Sequence, residues 1–173
     1  MDKILKKDEQ AILLLRKLYQ SYGYQPYKMS RFEEYDLYVR NKDFLVSDQV
    51  ITFSDRRGKL LALKPDVTLS IIKNAGKTNH TQRVYYNENV YRVDPQTRIF
   101  REIMQTGLEC IGDLNAMDVA EVVLLAARSL QLLGGSWVLD ISHMGLLAAV
   151  LEGSGLTREQ QTQAMEYLHR KNY

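Results

Sequence analysis

The chain alternates between two hydrophobic rhythms, and the changes of rhythm mark its elements. From residue 3 to 22, Ile4, Leu5, Ile12, Leu15, Leu18 and Tyr19 fall near helical spacing, and Gly23 follows as a stop. Residues 24–49 are mixed, rich in Tyr and acids, and carry no clear period. Val50-Ile51-Thr52-Phe53 predicts a strand, Asp55-Arg56-Arg57-Gly58 a turn, and Lys59 to Leu63 the returning strand of a hairpin.

Pro65 disfavours helix just before it, and Asp66 is a good N-cap for a helix from Val67 to Asn74 that stops near Gly76. Arg83 to Val93 reads as strand, in one piece or in two broken near Asn87-Glu88-Asn89. Asp94-Pro95-Gln96-Thr97 predicts a turn, and Ile99 to Ile111 a long strand. Residues 115–133 predict the clearest helix. It is apolar nearly all round, with a narrow polar stripe of Asp118, Glu121 and Arg128, so it is expected to be largely buried against a sheet or a partner. Gly134-Gly135 stop it. Trp137 to Ile141 predicts a strand, Met144 to Leu151 a short helix, and Thr157-x-x-Gln160 a capping box opening a last helix. Tight turns join most of the sheet, which makes it mainly antiparallel and the fold α+β.

The length of 173 residues suits one domain with a real core. A net charge of +2 does not by itself point to nucleic acid, and the cluster at 55–59 contains an acid and fits a solvated hairpin tip. The single cysteine, Cys110, forbids an internal disulfide and suits a reducing cytosol. The charged N-terminus is no signal peptide, and no apolar stretch reaches the length of a membrane span. His80, His143 and His169 show no metal spacing, and no phosphate loop, dinucleotide fingerprint or nucleophile elbow is present. No metal or cofactor is expected.

The strand from Ile99 to Ile111 carries the candidate chemistry. One face reads Ile99, Arg101, Ile103, Gln105, Gly107, Glu109, Ile111; the other reads Phe100, Glu102, Met104, Thr106, Leu108, Cys110. Neither is a plain water face. Arg101, Gln105 and Glu109 are spaced by four residues, roughly 13 Å. Gly107 removes the side chain between Gln105 and Glu109, leaving a hole about one side chain wide. An ammonium or imidazole group could lie there; alternatively the strand faces water and the glycine marks a bulge. Arg92, on the preceding strand, comes near Arg101. The two either hold a carboxylate or phosphate, or pair with Asp94 or Glu102. Asp66 and Thr68 either cap a helix or point at a ligand's amino group.

Three segments in order, LALKPDVT (61–68), VYRVDPQ (90–96) and FREIMQTGLECIG (100–112), resemble the core of class II histidyl-tRNA synthetases. They resemble still more their non-catalytic relatives, the regulatory subunits of ATP phosphoribosyltransferase. The resemblance covers most of residues 1–150. It implies a class II aminoacyl-tRNA synthetase-like core over 1–173 as a single histidyl-type domain, truncated at the C-terminus, because family members continue into a second histidine-recognition segment and a further arginine. It implies that Asp66, Thr68, Gln105 and Glu109 bind histidine, and that Arg92, with Arg101 nearby, grips a phosphate or carboxylate.

The departures point to the regulatory relatives. The synthetase segments read LRPEGT, FRxERPQ and GRYRxFxQxGxE. Here Glu is shortened to Asp66, Gly becomes Val67, the Glu-Arg pair after Arg92 is reduced to Asp94, and Thr97-Arg98-Ile99 replaces the Gly-Arg that precedes the tyrosine. The implied function is a non-catalytic subunit in histidine biosynthesis that activates a short catalytic subunit and senses L-histidine. A homodimer through the core is implied, with no membrane and no tRNA as partner. The alternative is a divergent histidyl-tRNA synthetase.

Overall fold

A computed structural model describes residues 5–40, 50–75, 80–94 and 96–169. The expected helix start at 3–4, the stop at Gly76, Pro95 of the turn and the chain beyond His169 lie outside the described residues. The chain divides into two compact units, Met1–Ser136 and Trp137–Tyr173.

In the first unit α1 spans Lys7–Ser21 and buries Leu15 and Tyr19. It ends before Gly23, whose φ of +82° is a conformation that side chains resist. The mixed segment that follows contributes, among its described residues 24–40, two short strands and a short helix. Strand β1 (Gln25–Pro26) runs parallel to β5, and β2 (Phe32–Glu34) pairs antiparallel with β4. A short helix α2 covers Asp36–Val39. These short elements carry too few residues to show a period.

The hairpin forms as expected, with β3 at Thr52–Ser54 and β4 at Leu60–Leu63. At its tip Asp55 Oδ1 accepts from the amides of Arg57 and Lys59, each at 2.8 Å. Helix α3 spans Thr68–Ala75, and Asp66 Oδ1 accepts from Leu69 N at 2.9 Å, an N-terminal cap. Strand β5 is continuous over Gln82–Val93 and pairs with β6 (Phe100–Ile111) through twelve positions, from Gln82↔Ile111 to Val93↔Phe100. The polar triplet does not break it, because each member finds a partner: Asn87 accepts from Thr106, Glu88 pairs with Lys64, and Asn89 donates to Glu102.

Two three-stranded sheets result, ordered β1-β5-β6 and β2-β4-β3. Alternation along β5 divides the core. Tyr85 packs with Leu15, Tyr19, Tyr24 and Leu125 beneath α1 and α4 (Ala116–Leu133). On the opposite face Val84, Tyr86 and Val90 pack with Val67 and Ile71 of the α3 segment. A third cluster, Tyr38, Val50, Ala62 and Leu69, covers the second sheet. Each fully buried side chain of this kind contributes about 1.5–3 kcal/mol.

Helix α4 departs from expectation. The acids of its polar stripe face inward while Arg128 is exposed: Asp118 is 5% exposed, and Arg83 of β5 binds Asp118 Oδ1 at 2.5 Å and Glu121 Oε1 at 3.2 Å. Its apolar residues Met117, Val119 and Leu133 are instead exposed. A basic residue on the covering strand outweighs the hydrophobic count.

In the second unit, Trp137 to Ile141 is not a strand. Among the described residues no strand pairs with it, and Val138 and Ile141 are exposed; β propensity without a partner makes no sheet. Helix α5 spans Met144–Gly153, and His143 Nδ1 accepts from Leu146 N at 2.9 Å, a structural role. Helix α6 (Arg158–His169) opens on the expected capping box, Thr157 N to Gln160 Oε1 at 3.0 Å and Gln160 N to Thr157 Oγ1 at 3.3 Å. No helix among the described residues is long and apolar enough to cross a membrane.

Candidate functional site

The sheet face that carries α3 collects the candidate residues. The β5–β6 register sets Arg92 opposite Arg101, Glu88 opposite Gln105, Tyr86 opposite Gly107 and Val84 opposite Glu109. Side chains of directly opposed residues share a face, and the turn before α3 brings Asp66 and Thr68 over it.

Thr68 and Glu109 meet: Thr68 Oγ1 donates to Glu109 Oε1 at 2.6 Å. Burial pushes the Glu109 carboxyl above its ordinary range, with a contribution from the Asp66 charge, and the Thr68 hydrogen bond partly offsets this. Among the described residues no cation is bound to Glu109. A half-buried carboxylate with one hydroxyl donor can accept from a further N–H donor, and a cation there would relieve its desolvation.

Asp66 serves two neighbours. Its Oδ1 caps Leu69, and its Oδ2 lies 3.8 Å from Arg92 Nη2. Arg92 Nε also donates to the Pro65 carbonyl at 2.8 Å, which fixes the guanidinium beside the start of α3. Arg101 turns to the Asp94–Ile99 turn, where its Nε reaches Asp94 Oδ2 at 2.9 Å; it is the more exposed of the two. Asp94 also accepts from the amides of Gln96 and Thr97. The Thr97 amide is the chief cause holding its carboxyl below the usual range. Gln105 has no hydrogen-bond partner among the described residues and is partly buried. The structure therefore joins Thr68 to Glu109 and sets Asp66 beside Arg92, keeps Gln105 on the same strand face four residues from Glu109, and holds Arg101 in the turn.

The hole expected at Gly107 is filled. A Cβ built there would lie 2.5 Å from Tyr86 Oη and 2.7 Å from Tyr86 Cζ, closer than side-chain atoms pack. Gly107 is needed because a phenol rests on it. Burial raises the Tyr86 hydroxyl to about 12, with help from the nearby Glu109 and Asp66 charges, so it stays protonated. Reading the sequence alone misses Tyr86 because its position depends on the β5–β6 register. Counting back from the Asp94 turn would have placed it opposite Gly107.

Lys64 and Glu88 were also missed. Lys64 is 1% exposed and pairs with Glu88 on the same strand face as Gln105. Among the described residues no group of His, Cys, Asp or Glu is arranged to hold a metal.

A profile of the family described as histidyl-tRNA synthetase matches residues 3–173. The chain is 31% identical over 178 residues to the ATP phosphoribosyltransferase regulatory subunit of Halothermothrix orenii, covering 99% of this chain and 43% of that one. It is 30% identical over 167 residues to the histidine–tRNA ligase of Methanocaldococcus jannaschii, covering 92% and 39%. A crystal structure from Bacillus halodurans, titled as an ATP phosphoribosyltransferase regulatory subunit/histidyl-tRNA synthetase, superposes with a TM-score of 0.80 at 25% identity, covering all of this chain and 47% of that one. The chain thus spans about two-fifths of the length of these curated relatives. Match and superposition together establish a class II synthetase-like α+β fold, and the chain belongs to the histidyl-tRNA synthetase family.

Proposed function

We propose that this chain is the core of a non-catalytic regulatory subunit of ATP phosphoribosyltransferase that senses L-histidine. The observation that carries the reading is a division within one sheet face. On it Thr68 meets Glu109 and Asp66 faces Arg92, with the partly buried Gln105 on the same side of β6, while Asp94 is consumed inside its own turn by two amides and Arg101. A sheet face with carboxylates that an amine could reach, next to a turn whose acid is already occupied, suits an amino-acid sensor better than an ATP-activating enzyme.

In this reading Gln105 and Glu109 read the imidazole or the ammonium, Asp66 and Thr68 the amino end, and Arg92, with Arg101 opposite it, the carboxylate. Guanidinium groups match carboxylates in two-point contact. The protein pairs with itself through the core and with the short catalytic subunit, which joins ATP and phosphoribosyl pyrophosphate in the first step of histidine biosynthesis, a cytosolic setting. It needs no cofactor. Inhibition by histidine requires unequal affinity for two states of the assembly.

The experiment is to measure phosphoribosyl-ATP formation by the short catalytic subunit with and without this protein. Activation, reversed by added L-histidine, is the expected result. The competing reading, a divergent histidyl-tRNA synthetase, is favoured by the ligase named among the relatives. It predicts histidine-dependent ATP–pyrophosphate exchange by the chain alone. Activation that histidine does not reverse would instead indicate an interaction domain with a vestigial pocket.

A further inference from the structure

Lys64 joins the two sheets through its main chain. Its amide donates to the Arg31 carbonyl, just before β2, at 3.1 Å, and its carbonyl accepts from Tyr91 N of β5 at 2.9 Å. These two bonds set Arg31 and the 87–91 stretch of β5 around the Lys64 side chain. A cavity of about 280 Å³ lies there, lined by Arg31, Lys64, Asn87, Glu88, Asn89 and Tyr91. A water molecule takes about 30 Å³ in the liquid, so the space suits several waters or one small ion. The cavity is separate from the histidine reading, since none of Asp66, Thr68, Arg92, Gln105 and Glu109 lines it.

Its lining offers N–H donors that the protein leaves unanswered. Lys64 is 1% exposed, and its ammonium gives one of three N–H groups to Glu88; the other two meet no acceptor among the described residues. The Arg31 guanidinium makes no hydrogen bond or ion pair among the described residues. Asn87 Oδ1 accepts from Thr106 Oγ1 at 2.9 Å, which leaves the Asn87 side-chain N–H groups to donate elsewhere. Tyr91 Oη and Asn89 Nδ2 are already committed to Glu102. Glu88 answers one of the two cations, so the cavity keeps one positive charge. Donors around a small space with a net positive charge match an oxyanion, and a guanidinium fork takes carboxylate or phosphate oxygens in two-point contact. We propose that this cavity is a binding site for a small oxyanion of the phosphate or carboxylate class, held by Arg31, Lys64 and the Asn87 amide.

Arg31→Ala tests the site and leaves the fold alone, because the bond that Arg31 makes to Lys64 comes from its main chain. The experiment follows the backbone and side-chain amide signals of Asn87 and Asn89 by NMR in the full chain, as sodium phosphate or sodium acetate replaces sodium chloride at constant ionic strength. Saturable shifts are expected in wild type. Arg31→Ala is expected to bind the same ion about tenfold more weakly or worse, as for loss of hydrogen bonds to a charged group, and Arg31→Lys, which keeps the charge, to lose less than Arg31→Ala. A response to phosphate alone makes the cavity a phosphate site, and a response to acetate alone a carboxylate site; either supports the proposal. No saturable shift with either ion would overturn it and make the Lys64–Glu88 pair a purely structural one with water in the gap. Shifts that Arg31→Ala leaves unchanged would overturn it as well, since the ion would then lie elsewhere.

Discussion

Thr68 Oγ1 lies 2.6 Å from Glu109 Oε1, and that one contact ties the first turn of α3 to the far end of β6. Forty-one residues separate the two along the chain. Their meeting depends on α3 packing its Val67 and Ile71 against Val90, and on the β5–β6 register that turns Glu109 to the same side.

Glu109→Gln tests the acceptor directly. A hydrogen bond to a charged group is worth about 1.5–3 kcal/mol, so L-histidine affinity is expected to fall by about 10- to 100-fold in calorimetry. Unchanged affinity would remove Glu109 from the site.

The same variant has a pH signature in stability. Folding raises the Glu109 pKa, chiefly through burial. The folded state therefore binds the proton more readily than the unfolded chain. This contribution to stability is fully present below the unfolded pKa, near 4.3, and is lost as pH rises through the higher folded value. Replacing Glu109 by Gln removes that loss. Urea denaturation should show the stability of Glu109→Gln, relative to wild type, improving from about pH 4 to about pH 7. A flat or falling difference would contradict a desolvated carboxylate.

Arg92 and Arg101 are expected to separate. Arg92 is fixed beside Asp66 by the Pro65 carbonyl, whereas Arg101 is 56% exposed and engaged with Asp94. Arg92→Ala should weaken L-histidine about tenfold or more while leaving histamine, which lacks the carboxylate, nearly unaffected. Arg101→Ala should change either affinity less than Arg92→Ala does. Equal losses for both ligands with Arg92→Ala would exclude a carboxylate role.

Lys64 and Glu88 predict a strong non-additivity. Glu88→Leu alone leaves a nearly inaccessible ammonium without its carboxylate, a cost of about 3–5 kcal/mol. Lys64→Met combined with Glu88→Leu removes both charges and should recover most of that loss. Denaturant titration of the two single variants and the double variant measures the coupling; additive losses would show that the pair is not desolvated.

Asn115 gives a local test of helix capping. Its Oδ1 accepts from Met117 N at 2.8 Å and Asp118 N at 3.2 Å, and Asp118 Oδ2 accepts back from Asn115 N at 3.0 Å. Asn115→Ala should cost about 1 kcal/mol, read as a lowered unfolding midpoint.

The sequence by itself determined the elements whose causes are local. The hairpin tip follows from Asp55 and its amides, the start of α3 from Asp66 after Pro65, and the opening of α6 from Thr157 and Gln160. These are contacts across two to four residues, so a short window contains the whole interaction. The residue types of the candidate face were legible too, because alternation in β6 puts Gln105, Gly107 and Glu109 on one side wherever the strand lies.

Tertiary structure decided what each of those residues touches. Gly107 reads as a gap until β5 is laid against β6 and Tyr86 fills it. Asp118 and Glu121 read only as part of a narrow polar stripe until Arg83 arrives from another strand, and Trp137 to Ile141 reads as a strand although none of the described strands pairs with it. For Gly107 and for Asp118 and Glu121 the deciding partner lies far along the chain. Side-chain period fixes which face a residue occupies, but only register and packing fix its neighbour, and it is the neighbour that sets its charge, its space and its chemistry.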